Sequence, residues 1–246
     1  MKILIAVPSK NRMETLEKFT YQWLKLLSFD WKIFVEPQDF EKYANVATNL
    51  ISIEKDNQGF SYVKSFIKNY AEKNGYDLVF KVDDDIKCFT DFRKNTTPEK
   101  TAELLTEFIN EKVMKGFENP LLGAISFPYS FEMFEKKEWT KSKRIQTCYI
   151  CRTEYVQQPI LGISVFEDFA VGIKILTDGK IILKYGLLGQ NMGVKVGGGT
   201  GGHQDFDRNE QALKEVDLLR KIYPPLKFKK VSKAWSVEPD LRSVKL

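Results

Sequence analysis

Histidine is almost missing from this chain: His203 is the single one in 246 residues. Cysteine is scarce as well, with only Cys88, Cys148 and Cys151. An odd number this small excludes a disulfide-stapled scaffold and makes a reducing compartment the expectation. Cys148-Tyr-Ile-Cys151 is a lone CxxC. With Cys88 and His203 as the remaining soft ligands it does not make a convincing structural zinc site, and core or strand cysteines are the simpler reading. No apolar run approaches the roughly 20 residues of a membrane span. The opening MKILIAVPSKNR is too short in apolar residues for a secretory leader and reads better as a first strand. These absences point to a soluble, cytoplasmic protein with no membrane attachment.

What is present is ordinary for a folded protein. Hydrophobic residues make up 43% and charged residues 29% of the chain, which excludes a disordered segment. The length suits one large α/β domain. The net charge of +5 permits a polyanionic partner without requiring one.

The hydrophobic pattern alternates between strand and helix in the first half. Ile3 to Val7 is a continuous apolar run, as in a buried parallel strand, and Pro8 stops it. Met13, Leu16, Phe19, Trp23 and Leu27 follow at near-helical spacing. Lys32 to Val35 and Leu50 to Ile53 read as strands, and Asn57-Gln58-Gly59 as a turn. Val63, Phe66, Ile67, Tyr70 and Ala71 mark a helix that ends near Gly75. Leu78 to Val82 is a strand. A helix begins at Pro98 and runs to about Gly116. Leu122 to Phe127 is a strand, and Tyr129 to Arg144 has no firm assignment. Strands are expected at Thr147 to Arg152, Ile160 to Ser164 and Ile181 to Tyr185. A helix is expected over Glu167 to Thr177, with Gly179 at its C-terminal cap. A glycine-rich loop spans Gly193 to Gly202, and a last helix covers roughly Asn209 to Tyr223 before a lysine-rich tail. The expected architecture is a Rossmann-type α/β fold, a twisted, mainly parallel sheet flanked by helices. It forms a single domain over 1–246, with residues 1–127 as one half and 128–246 as a second half.

The strand Leu78 to Val82 runs straight into Asp83-Asp84-Asp85. In an open α/β sheet, ligands collect at the carboxyl ends of the strands. In extended geometry residues two apart point the same way, so Asp83 and Asp85 are expected to share a face and Asp84 to be secondary. Hard carboxylate oxygens suit Mg²⁺ or Mn²⁺. Such a cation bridges phosphate groups and neutralises charge growing on a diphosphate leaving group. A solvated acidic turn capping the strand would use the same residues. The repulsion among three adjacent like charges argues for something positive bound there.

Four pieces, in chain order, carry a resemblance: AVPSKNR after the first strand, DNQGFSYVKSFIKNYA, FKVDDDI, and FEDFAVGIKILTDGKIILKYG. Together they resemble the GT-A class of nucleotide-sugar glycosyltransferases from residue 3 to about residue 205. The resemblance implies a metal-dependent hexosyl- or pentosyltransferase. Pro8, Ser9, Asn11 and Arg12 would form its nucleotide-binding turn. Asp83 and Asp85 would hold the metal, and Asp83 and Asp84 would contact the nucleotide-sugar. Asp168, with Glu167, would be the general base, an arrangement that favours inversion in this class. His203 would close the metal site as a third ligand. Within the class, KVDDDI, the short Asp168 helix and GGGTGGHQDFDRN are most similar to the compact phage-type enzymes that glycosylate 5-hydroxymethylpyrimidines in DNA, the TET-associated glycosyltransferases. That likeness implies a UDP-sugar donor, Mn²⁺ or Mg²⁺, 5-hydroxymethylcytosine in DNA as acceptor, and the host cytoplasm as location.

The residues read on their own leave simpler roles open. Glu167 and Asp168 open a helix, where any acid is favoured by the dipole. Arg12 fits either a phosphate contact or an exposed helix start. His203 follows a run flexible enough to form a lid, although a lone histidine also serves structure. The glycine run lacks the Gly-Lys-Ser/Thr ending of a P-loop and is not a GxGxxG after a strand. The segments 136–144 and 227–235 interleave basic residues with Trp139 and Trp235, a composition that binds phosphates and stacks bases but also suits ordinary surface. A glycan, lipid or protein acceptor is the main alternative. A sugar-phosphate nucleotidyltransferase is a further one, but PSKNR stands where its glycine signature would be. A non-catalytic module with the same fold would lack transfer altogether.

Overall fold

The structure, a computed structural model, describes residues 1–91, 96–129, 137–157, 163, 165–193, 208–230 and 237–240. The strands are β1 (Ile3–Ser9), β2 (Asp30–Val35), β3 (Leu50–Ser52), β4 (Leu78–Lys81), β5 (Ile86–Thr90), β6 (Leu122–Ser126), β7 (Trp139–Ser142), β8 (Tyr149–Arg152), β9 (Ile181–Tyr185), β10 (Gly189–Met192), β11 (Lys227–Lys230) and β12 (Val237–Asp240). The α-helices are α1 (Met13–Lys18), α2 (Thr20–Leu24), α3 (Phe40–Ala44), α4 (Phe60–Lys73), α5 (Pro98–Phe108), α6 (Met114–Gly116), α7 (Glu167–Thr177) and α8 (Arg208–Ile222).

Among the described residues, eight strands form one sheet in the order β3-β2-β1-β4-β8-β6-β9-β7. β3, β2, β1 and β4 run parallel. β8 enters between β4 and β6 and is antiparallel to both, β9 is parallel to β6, and β7 is antiparallel to β9. The mainly parallel α/β sheet expected from the alternating pattern is therefore present. β1 is buried along its whole length, as a run of this kind must be when both faces are covered.

Strand alternation divides the core. Ile3, Ile5, Val7, Leu78, Phe80 and Val82 pack on the face covered by α1, α2 and α5. Leu4, Ala6 and Val79 pack on the face of α4, α7 and α8. By the same alternation, Lys81 leaves β4 on the second face. That placement decides much of the site below.

Several elements differ from the pattern reading. The helix expected over Met13 to Leu27 is two short helices, because the backbone breaks at Phe19 (φ −120°, ψ −86°). The helix from Pro98 passes through a π-helical turn at Ile109–Val113 before α6. β5, β7, β10, β11 and β12 were not anticipated; β5 and β10 form one separate antiparallel pair, and β11 and β12 another. The strand expected over Ile160 to Ser164 falls on a stretch where only residue 163 is described. The glycine loop beyond Gly193, and His203, lie outside the described residues. Gly179 adopts φ +72° immediately after α7, as a C-terminal cap requires.

Gly123 is needed for close approach. It sits in β6 at a break in the register with β9, and a Cβ there would collide with the Ile175 methyl and come within 3.1 Å of the Lys180 Cβ. Its bare backbone lets α7 press onto the sheet. We therefore expect Gly123→Ala to lower unfolding free energy in a denaturant titration by about 1–3 kcal/mol, the usual range for overpacking. An unchanged midpoint would show that α7 is not seated this tightly.

Candidate active site

The site grows from the turn after β1. Asn11 takes φ +50°, a left-handed conformation that Asn tolerates better than most residues. Asp39 accepts the Asn11 backbone N–H at 2.9 Å, and the Tyr43 hydroxyl accepts that of Arg12 at 2.8 Å. Ser9 Oγ has one proton and gives it to Asp84 Oδ2 at 2.6 Å, so the Tyr43 hydroxyl, 2.8 Å away, donates to Ser9. Burial pushes the Tyr43 phenol up to about 12, which keeps that proton in place. Held in this way, the turn sends Arg12 back to the end of β4. One guanidinium nitrogen lies 2.9 Å from Asp84 Oδ1 and the other 2.8 Å from Asp85 Oδ2.

The acidic triplet is pinned from behind by α2. Thr20 Oγ1 donates to the Asp83 carbonyl at 2.8 Å and accepts the Ile86 N–H at 2.9 Å, while Trp23 Nε1 donates to the Ile86 carbonyl at 2.9 Å. The Gly193 N–H donates to the Asp85 carbonyl at 2.6 Å, so the glycine loop departs from the triplet itself.

The expected face-sharing of Asp83 and Asp85 needs correction. Alternation holds only in extended chain, and here the strand ends at Lys81 and the backbone turns at Asp84 and Asp85 into β5. Asp83 and Asp84 face the cavity described below, whereas Asp85 turns toward Arg12. Asp84 is the more deeply held of the cavity pair, at 3% exposure.

Two lysines escaped the sequence reading. Lys81, emerging on the α4–α7 face, lies 2.5 Å from Asp83 Oδ1 and 3.9 Å from Glu167 Oε1, and it donates to the Thr147 carbonyl at 3.0 Å. Lys64 of α4 is 1% exposed and lies 2.6 Å from Glu167 Oε2 and 3.8 Å from Asp168 Oδ1. A signal for Lys64 was available: Ser61, Lys64, Ile67 and Ala71 share the buried stripe of α4. Tyr129, at the carboxyl end of β6, joins the same network through a 2.5 Å hydrogen bond with Thr147 Oγ1.

Glu167 is thereby brought to the triplet through Lys81, and Asp168 joins it through Lys64. Five carboxylates (Asp83, Asp84, Asp85, Glu167, Asp168) meet three cations (Arg12, Lys64, Lys81). Burial drives the Asp84 carboxyl up to about 7 against the pull of Arg12 and Ser9. Burial and the charge of Asp83 also raise Asp85. Burial and Glu167 push Asp168 up to about 7, although Lys81 and Lys64 oppose them. Burial acts to lower Lys81, but Asp83 and Glu167 outweigh it and hold the ammonium well above its ordinary range.

A cavity of about 620 Å³ opens in front of this network. It reaches from Asp83, Asp84 and Glu167 past Ser9 and Arg12 to Phe34, Glu36 and the Asn57-Gln58-Gly59 turn. This size suits a small ligand of nucleotide dimensions. Of the turn residues, Pro8, Ser9 and Arg12 line the cavity; Asn11 is exposed, and its contribution is the backbone shape. Glu36, at the end of β2, is 3% exposed and is held by Lys10 at 3.5 Å and by Gln38 at 2.6 Å.

Among the described residues no group of three His, Cys, Asp or Glu forms a ready metal cage. Mg²⁺ and Mn²⁺ at nucleotides use one or two carboxylates and complete their shell with phosphate oxygens and water. The donors here fit that pattern. Asp85 Oδ1 is buried and makes no hydrogen bond, and the Asp83 side chain is 28% exposed toward the cavity.

The TET-Associated Glycosyltransferase family matches residues 3–194, and the chain belongs to that family. No curated protein matches it. Among solved structures, residues 1–349 of S. aureus TarS superpose with a TM-score of 0.52 at 16% identity, over 78% of this chain and 60% of that one. This chain thus spans about 60% of that relative's length. Mycobacterium tuberculosis glucosyl-3-phosphoglycerate synthase, solved with Mg²⁺ and UDP, gives 0.51 at 12% identity over 97% of this chain and 86% of that one. The fold is that of GT-A-type glycosyltransferases, and the family match places the chain in the glycosyltransferase class.

Arg12→Met should reduce unfolding free energy by roughly 3–5 kcal/mol, since it strands two buried carboxylates. Both acids already sit above their ordinary range, so the folded state binds more protons than the unfolded chain and stability falls as pH rises. Without Arg12 that slope steepens: the deficit should be larger at about pH 8 than at about pH 5. An equal deficit at both pH values would contradict the clamp.

Proposed function

We propose that the chain moves a sugar from a UDP-sugar to the hydroxymethyl group of 5-hydroxymethylcytosine in DNA, with Mn²⁺ or Mg²⁺ at the acidic triplet. The observation that carries this reading is the convergence of Glu167 with Asp83 and Asp84 on one cavity, with Lys81 joining Asp83 to Glu167 and Lys64 joining Glu167 to Asp168. The nucleoside occupies the end of the cavity between Phe34, Glu36 and Asn57, and the diphosphate lies at Asp83 and Asp84 beside Arg12. UDP with Mg²⁺, and UDP with Mn²⁺, in the mycobacterial synthase support that choice of donor and metal.

Asp83, which faces the cavity, and Asp85, through the oxygen that Arg12 leaves unbonded, are the residues to hold the cation, with His203 a further candidate ligand. A cation there supplies positive charge to the diphosphate and so makes it a better leaving group. Lys81 keeps Asp83 oriented. Asp168 takes the proton of the acceptor hydroxyl as the hydroxyl oxygen bonds to the anomeric carbon and the bond to the diphosphate breaks. Lys64 and Lys81 keep part of the Asp168 population ionised near neutral pH by opposing its desolvation. The acceptor side of this site carries Arg144, exposed and stacked 4.8 Å above the ring of Phe169, next to Asp168. Lys141 of β7 and Lys137 just before that strand stand exposed nearby in sequence. This basic edge supports a polyanionic acceptor. A hydroxymethyl group at cytosine C5 projects into the major groove, so the base need not leave the stack.

Asp85→Ala should abolish Mn²⁺-dependent UDP binding in a calorimetric titration; undiminished affinity would refute the metal assignment. Asp168→Asn should still bind UDP but lose transfer by roughly 10²–10⁴-fold, the contribution of a positioned base. Because Asp168 works only when ionised and its pKa is raised to about 7, the transfer rate should climb with pH through about 7 and then level off. A flat profile, or full transfer by Asp168→Asn, would remove it as the base. For the acceptor, UDP release from several UDP-sugars should require DNA containing 5-hydroxymethylcytosine. Equal release with unmodified DNA, or release only with a glycan, would reject the DNA reading.

A further inference from the structure

α7 begins without a cap of its own, since Phe166 stands at its N-cap and offers no side-chain acceptor. The two N–H groups just ahead of the helix find their acceptor on another helix. Glu215 of α8 takes the Val165 N–H at 3.0 Å on each of its two oxygens and the Phe166 N–H at 2.9 Å. Gln211, one turn earlier, donates to the same carboxylate at 2.8 Å.

The placement is unusual for an acid. Ala212, Glu215 and Leu219 are each 0% exposed and lie three and four residues apart, so Glu215 sits inside the apolar stripe by which α8 docks. A buried carboxylate is costly unless it is fully hydrogen-bonded. An apolar residue would dock α8 as well, but it would leave the Val165 and Phe166 N–H groups without an acceptor. The chain therefore uses this position to fix the peptide entering Glu167 and Asp168. α8 also lies beyond the residues 3–194 that match the family.

We infer that Glu215 is a positioning residue for the reaction: from α8 it clamps the entry to α7 and holds Asp168 in register with Lys64, Lys81 and the triplet. This inference rests on the reading of Asp168 as the base. A role confined to gluing α8 onto the body would affect stability alone.

The test compares the full chain with Glu215→Met, Glu215→Asp, Glu215→Gln and Asp168→Asn. Glu215→Met should lower kcat by about tenfold or more, as misplaced catalytic groups do, while the Kd of UDP with Mn²⁺ stays within about twofold. Amide hydrogen exchange across residues 165–168 should accelerate in the same sample. Glu215→Gln keeps an acceptor at the same reach and should restore kcat to within about threefold of the parent. If Glu215→Met does not fold, Glu215→Asp decides: it keeps the charge but shortens the reach by one methylene, and it too should lose kcat with UDP binding intact. Parental kcat in whichever of these two variants folds, or unchanged exchange at 165–168, overturns the positioning role and leaves Asp168 as the base. Full transfer by Asp168→Asn overturns both readings.

Discussion

Five carboxylates and three cations, two of them fully buried, at the ends of β1, β4, α4 and α7 form the constraint on which the rest of the structure depends. Each cation joins elements distant in sequence. Arg12 ties the turn after β1 to the triplet, Lys81 ties the triplet to α7, and Lys64 ties α4 to α7. Charge so desolvated interacts more strongly than at the surface, and losing one member strands its partners. The acids still outnumber the cations, and the raised Asp84, Asp85 and Asp168 carboxyls express that excess. A site with surplus negative charge beside a nucleotide-sized cavity can accept a cation together with a diphosphate, neither of which it would hold as well alone.

The surrounding fold supplies the precision. Thr20 and Trp23 hold the backbone of the triplet, Gly123 lets α7 lie close on the sheet, and Glu215 holds the peptide entering α7 from a helix outside the family-matched region. The glycine loop is anchored at its first residue by the Asp85 carbonyl, so whatever the loop carries starts its path at the triplet.

Much of this was legible in the sequence, and the reasons are physical. The buried run of β1 and the run LVFKV before the acids mark parallel strands directly, and the ordered motifs gave the α/β class. The triplet was visible because three adjacent acids after an apolar strand are rare. Its orientation was not, because the alternation argument assumes extended chain and the backbone turns at Asp84. Helix α1–α2 was misjudged as one helix because periodicity does not register a backbone break at Phe19. Lys64, Lys81 and Glu215 were overlooked for a common reason: Lys and Glu are read as surface by default. Lys64 and Glu215 nevertheless stand on the apolar stripe of a helix, and Lys81 stands within a buried strand, so a charge placed on a hydrophobic face was the signal to follow. Pairing partners across the chain, such as β8 entering between β4 and β6, carry no local mark at all.

The central claim is that the surplus of acid at the triplet exists to bind a cation and a nucleotide diphosphate together. The most direct measurement is a crystal structure of the chain grown with Mn²⁺ and UDP, with the metal located by its anomalous signal. The account predicts one strong peak within bonding distance of Asp83 or Asp85 and of the UDP phosphates, with the uridine between Phe34, Glu36 and Asn57. UDP bound elsewhere, or an anomalous peak remote from the triplet while Arg12 still bridges Asp84 and Asp85, would contradict it.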